Sequence, residues 1–150
     1  MCGAQCYPDD VKADELIDRV QSVLAPRPEV LEAYLFGSHA RGEAQPHSDI
    51  DVAVYASAIP EAPFGYEAEL STELSRALAT DRVDVVVLNR AGPLLYHRVL
   101  RDGVRVLARD LRATTGREGQ ALSRYCDYVG QLAKLDPVAR MRIERGELGR

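Results

Sequence analysis

An apolar, aromatic run at residues 30–36 (VLEAYLF) stops at Gly37-Ser38, and ten residues later a β-branched run opens with Asp49-Ile-Asp51. Both runs have the length and composition of strands. Between them, Gly42, Pro46 and several polar residues predict a short turn of helix followed by a loop. Side chains alternate along a strand, so Asp49 and Asp51 share one face while Ile50 and Val52 share the other. Two adjacent carboxylates repel, and one would retain its proton unless a cation lay between them. Hard divalent cations such as Mg²⁺ take oxygen ligands of this kind, usually shared with substrate phosphates.

A third carboxylate joins this pair. Asp84 stands in Val83-Asp-Val-Val-Val-Leu88, whose apolar texture predicts a strand buried on both faces. A buried carboxylate without a partner is costly. The partner is either a metal shared with Asp49 and Asp51 or an arginine, Arg82 or Arg90. Gly37 and Ser38 have a different use. A glycine at a strand end lets phosphate approach the backbone, and the amides and hydroxyl that follow can donate to phosphate oxygens. Arg41, one turn later, offers a positive charge near a triphosphate or partner, or else a surface ion pair, and Gly42 lets the chain turn away.

The remaining patterns fill in the frame. Apolar residues at 11, 16, 17, 20 and 24 predict a helix stopped by Pro26 and Pro28, after a loose leader over residues 1–10. Leu70, Leu74 and Leu78 mark one face of a helix ending near Thr80. Pro93 suits the first turn of a helix carrying Leu94, Leu95, Val99 and Leu100, with Gly103 as its cap and a short strand over residues 104–107. Leu122, Tyr125, Val129 and Leu132 predict a long amphipathic helix, and Pro137 opens an Arg-rich end (Arg140, Arg142, Arg145, Arg150) interleaved with Glu144 and Glu147. The expected fold class is α+β: one mixed sheet of about four strands flanked by helices, with a C-terminal helix. Residues 1–150 read as one domain, with a core over about residues 11–110 and a helical extension over about residues 111–150.

Composition removes several alternatives. A net charge of −4 argues against a general nucleic-acid binder, which relies on surplus Lys and Arg against phosphates. No apolar run is long enough to span a membrane and no secretory signal opens the chain, so the cytoplasm is the expected compartment. Three cysteines fit a reduced protein, and Cys2 with Cys6 lacks the further ligands of a zinc site. Met1-Cys2-Gly3 has the cysteine of an N-terminal nucleophile without supporting motifs. His39, His47 and His97 show no mutual ligand spacing and read as surface or loop residues, and Tyr125 and Tyr128 as packing or interface residues.

Gly37-Ser38, ten residues, Asp49-Ile-Asp51, then Asp84 in an apolar strand resembles the polymerase β-type nucleotidyltransferase superfamily. In size and in the run Gly37-Ser-His-Ala-Arg-Gly42 the chain is similar to the minimal nucleotidyltransferases (MNT family) of prokaryotes, over roughly residues 11–110. The resemblance implies in-line displacement at the α-phosphate of ATP. Asp49 and Asp51 would bridge two Mg²⁺ ions, and Asp84 would complete the metal site and help position or deprotonate the attacking hydroxyl. Gly37 and Ser38, with Arg41, would bind the nucleotide. Many members of the family are antitoxins that transfer AMP to a tyrosine of a partner HEPN-domain ribonuclease toxin. Others act on small molecules such as aminoglycosides, for which residues 111–150 offer little room. A non-catalytic antitoxin module that covers its partner sterically is the third reading, and three crowded carboxylates weigh against it.

Overall fold

The computed structural model describes residues 9–147. Most of the leader expected over residues 1–10, the Cys2/Cys6 pair, Met1-Cys2-Gly3 and Arg150 lie outside them. The first helix, α1 (Asp9–Leu24), starts two residues earlier than the apolar pattern suggested. Strands β1 (Val30–Phe36), β2 (Ile50–Ala56), β3 (Val83–Val87) and β4 (Val104–Ala108) form one sheet in the order β3-β2-β1-β4. Strand β1 is antiparallel to both neighbours, whereas β2 and β3 are parallel. A parallel pair needs a crossover, and α2 (Tyr66–Leu78) supplies it.

Helices cover both faces. On one, Val20 and Leu24 of α1 and Tyr66, Leu70 and Leu74 of α2 pack on Val52, Val54, Val83, Val85 and Val87. Leu70 and Leu74 are fully buried, which contributes about 2 kcal/mol each. On the other face, α3 (Pro93–Asp102) and α4 (Leu111–Leu135) bring Tyr96, Val99 and Ala121 onto Tyr34, Phe36 and Ala53. The last helix, α5 (Pro137–Glu144), follows directly. Local chemistry sets these boundaries. Pro93 and Pro137 occupy first turns, and Asp110 and Asp136 cap α4 and α5 by accepting from the Ala113 and Val138 amides at 3.1 and 2.9 Å.

Three expectations change in detail. Strand β2 begins at Ile50, so Asp49 precedes it. Leu88 leaves β3 for a 3₁₀ turn over Leu88–Arg90, where the Asn89 amide group clasps the backbone of Ala56 at 2.9 and 2.8 Å. Gly103 ends α3 with φ −85°, not in a left-handed cap. Its value is space, since a Cβ there would lie 2.3 Å from the Val99 carbonyl oxygen and 3.3 Å from that of Leu35.

Candidate active site

Register decides which acidic residues meet. Phe36 of β1 pairs with Asp51 of β2, and Asp51 pairs with Asp84 of β3. Partners in register project to the same side, so Asp51 and Asp84 stand next to one another on the face that α3 and α4 cover farther along. Strand β3 is the sheet's edge, which corrects the expectation of burial on both faces: Val83, Val85 and Val87 are buried under α2, but Asp84 is exposed. Neither arginine offered as its partner is spent on it. Arg82 donates to the His47 carbonyl at 2.5 Å, and Arg90 lies 3.9 Å from Glu67.

Gly37 completes the wall on the other side of Asp51. It leaves β1 with φ +74°, a conformation that favours glycine, and a Cβ at this position would fall 2.1 Å from Asp51 Oδ2. The carboxylate therefore lies directly against glycine backbone. Burial pushes the Asp51 carboxyl above its ordinary range, and the charges of Asp84 and Asp49 push it further, with His39 and Arg41 opposing. Among the described residues, none of the three carboxylates has a basic side chain in ion-pair contact.

This donor set suits a hard cation. The oxygens are anionic, mutually repelling and open to solvent at Asp49 and Asp84. Among the described residues no three His, Cys, Asp or Glu side chains are gathered closely enough to enclose an ion unaided. Mg²⁺ commonly takes one or two carboxylates and completes its shell with phosphate oxygens and water.

The segment between the two motifs is stitched into place. Arg41 N–H donates to the Gly37 carbonyl at 3.3 Å and Glu43 N–H to that of Ser38 at 2.9 Å, closing a helix-like turn around Ser38. His39 Nε2 lies 3.3 Å from the Ser48 carbonyl, tying the start of the loop to its end. Arg41 Nε donates to Glu43 Oε2 at 2.8 Å, and its NH1 lies 3.7 Å from Asp102 Oδ2 at the end of α3.

Other residues fall less as the patterns suggested. His47 is exposed, but His97 lies on α3 with its ring stacked on Tyr125 of α4, 3.7 Å between centroids and 5° between planes. Its Nδ1 is buried without a hydrogen-bond partner, and burial, with Arg101 nearby, holds its pKa below the usual value. The patterns missed Glu32. Fully buried on β1, it accepts from Arg117 of α4 at 3.1 and 2.8 Å. The signal was a lone acid inside VLEAYLF.

The fold has counterparts among known proteins. Residues 18–112 match the family described as Polymerase beta, Nucleotidyltransferase. A chain from the crystal structure of a toxin–antitoxin with AMP-PNP superposes with TM-score 0.70 at 26% identity, covering 79% of this chain and 94% of the other. A structure proposed to be a minimal nucleotidyltransferase has TM-score 0.50 at 30% identity, covering 68% and 98%. A chain of the Shewanella oneidensis complex of tri-AMPylated HEPN toxin with MNT antitoxin shares the fold, with TM-score 0.61 at 23% identity over 85% and 94%. No curated protein matches the sequence significantly. No described helix is long and apolar enough to cross a membrane. With a match that takes in more than half of the chain and spans Gly37 to Asp84, the chain belongs to the polymerase β nucleotidyltransferase family.

Proposed function

We propose that this chain is a Mg²⁺-dependent antitoxin that transfers AMP from ATP to a hydroxyl, a tyrosine of a partner HEPN ribonuclease toxin. The observation that carries the reading is the register of Asp51 with Asp84 beside the glycine turn, three elements that meet only at this sheet edge. Resemblance to a toxin–antitoxin crystallised with AMP-PNP supports an adenine nucleotide donor and a toxin as partner, and the likeness to the complex of MNT antitoxin with HEPN toxin suggests the kind of toxin. The apolar surface of the C-terminal helices also supports a partner. Leu122, Tyr128, Leu135, Val138 and Met141 are exposed large hydrophobics, more than a small free-standing domain needs on one helical pair.

Each residue then has a role. The Gly37-Ser38 turn receives the terminal phosphates, close to backbone because position 37 carries no side chain. Asp49 and Asp51 would hold Mg²⁺, with Asp51 kept in place by the bare backbone of Gly37. Mg²⁺ supplies, when bound, the positive charge that offsets the crowded carboxylates and the departing pyrophosphate. Asp84, exposed at the edge strand, faces the acceptor and takes the hydroxyl proton on a carboxylate oxygen. The acceptor oxygen bonds to the α-phosphorus as the bond to pyrophosphate breaks.

Incubation with labelled ATP, Mg²⁺ and a candidate HEPN-domain toxin partner tests the reading. Wild-type protein should label the toxin and silence its ribonuclease, and the Asp49→Asn/Asp51→Asn double variant should do neither. A double variant that protects as well as wild type would overturn the reading in favour of steric cover.

A further inference from the structure

We infer that Asp102 is a positioning residue: from the end of α3 it holds the Arg41 guanidinium at the phosphate-binding turn and thereby sets the grip on the nucleoside triphosphate. The inference rests on the transferase reading above, and deepens it by assigning the residue that orients the turn's only arginine.

Arg41 reaches two carboxylates of unequal standing. Glu43 belongs to the same turn and its side chain is 65% exposed, so it moves with Arg41 and the pair is weak in water. Asp102 comes from a different element and is 14% exposed. Arg101 grips it with two parallel bonds, Nε to Oδ1 and NH2 to Oδ2, both 2.7 Å. The backbone beneath it is also fixed, because Gly103 lets the end of α3 close onto Leu35, two residues before Gly37 in the chain. Asp102 is therefore anchored to the strand that carries the phosphate turn.

A guanidinium has five donors in a rigid fork. With NH1 3.7 Å from Asp102 Oδ2, an ion-pair distance and not a hydrogen bond, Arg41 keeps a charge attraction toward α3 when phosphate oxygens displace the exposed Glu43 from Nε. Without Asp102, the long side chain samples solvent, and ordering it is left to the nucleotide. Asp102 touches no phosphate itself. It acts through Arg41, and that dependence is what an experiment can isolate.

The test is a double-mutant cycle on binding of AMP-PNP with Mg²⁺, measured by calorimetry on the full chain. Arg41→Ala should weaken binding roughly tenfold and Asp102→Asn roughly two- to fivefold. The double variant should bind no more weakly than Arg41→Ala alone, and Asp102→Glu should recover part of the loss. Additive losses, or an Asp102→Asn variant that binds like wild type, would overturn the inference. A merely structural Asp102 gives the additive result, because loosening α3 would add to the loss of Arg41. Binding requires no transfer, so the cycle stands apart from whether a toxin tyrosine is modified. Wild-type protein that fails to bind AMP-PNP sinks the transferase reading, and this inference with it.

Discussion

Replacing Gly37 with alanine should separate stability from activity, and Gly42 provides the control. Both glycines have left-handed φ values, +74° and +68°. A side chain in that region costs about 1–2 kcal/mol at either position. Their surroundings differ. A Cβ at 42 meets nothing within 4 Å, whereas one at 37 lies 2.1 Å from Asp51 Oδ2, 3.1 Å from its Cγ and 3.4 Å from its Cβ. The atom struck is the free end of a rotatable side chain, so the clash is relieved by swinging the carboxylate, at little further cost to folding. A displacement of about 1 Å in a group that positions reactants can cost on the order of 100-fold in rate. Urea denaturation should therefore show similar losses for Gly37→Ala and Gly42→Ala. Transfer of labelled nucleotide should fall about 100-fold for the first and stay within severalfold of wild type for the second. Equal activities in the two variants would refute the argument that Gly37 exists to seat Asp51.

Two further outcomes follow from the ion pairs. Arg117→Met leaves buried Glu32 without its cation, with only the Tyr96 hydroxyl 3.4 Å away, and should cost about 2–4 kcal/mol, read from the denaturation midpoint, with Glu32→Gln in the same chain recovering much of it. A loss below about 0.5 kcal/mol would mean that water reaches the pair. Asp102 supplies a pH signature. The Arg101 hydrogen bonds hold its carboxyl below the usual 3.8 against the opposing effect of burial, with the charges of Arg101, Arg41 and Arg98 acting in the same direction. A lowered folded-state pKa contributes stability that is full above the ordinary aspartate range and is lost as pH falls through the folded value. The stability gap between wild type and Asp102→Asn should hold from about pH 6 to pH 4 and shrink below that range. A gap that widens on acidification would reverse the assignment.

Much of this molecule was legible in one dimension because its signals are local. VLEAYLF ending at Gly37, the Leu70/Leu74/Leu78 stripe and Pro93 each state an element through periodicity or a fixed φ, and the four strands and main helices follow those patterns. Errors lie where neighbours decide. The apolar run around Asp84 has the texture of a doubly buried strand, yet β3 is an edge, because sheet order is a property of how strands pair and not of any one of them. His97 carries no local mark of its stack on Tyr125, since the contact joins two helices.

The chemistry on offer is plain from the linear order of residues: a glycine turn, a pair of carboxylates two residues apart and a third within an apolar strand. Those facts depend on residue type and spacing, which are written in the chain. Folding is what sets Asp51 and Asp84 side by side, requires Gly37 to be bare so that a carboxylate can sit against it, and returns Asp102 to Arg41 across sixty-one positions of sequence. Those meetings arise from strand register and helix packing, where many weak contacts summed over the whole sheet choose one arrangement, and no short stretch of residues carries that sum.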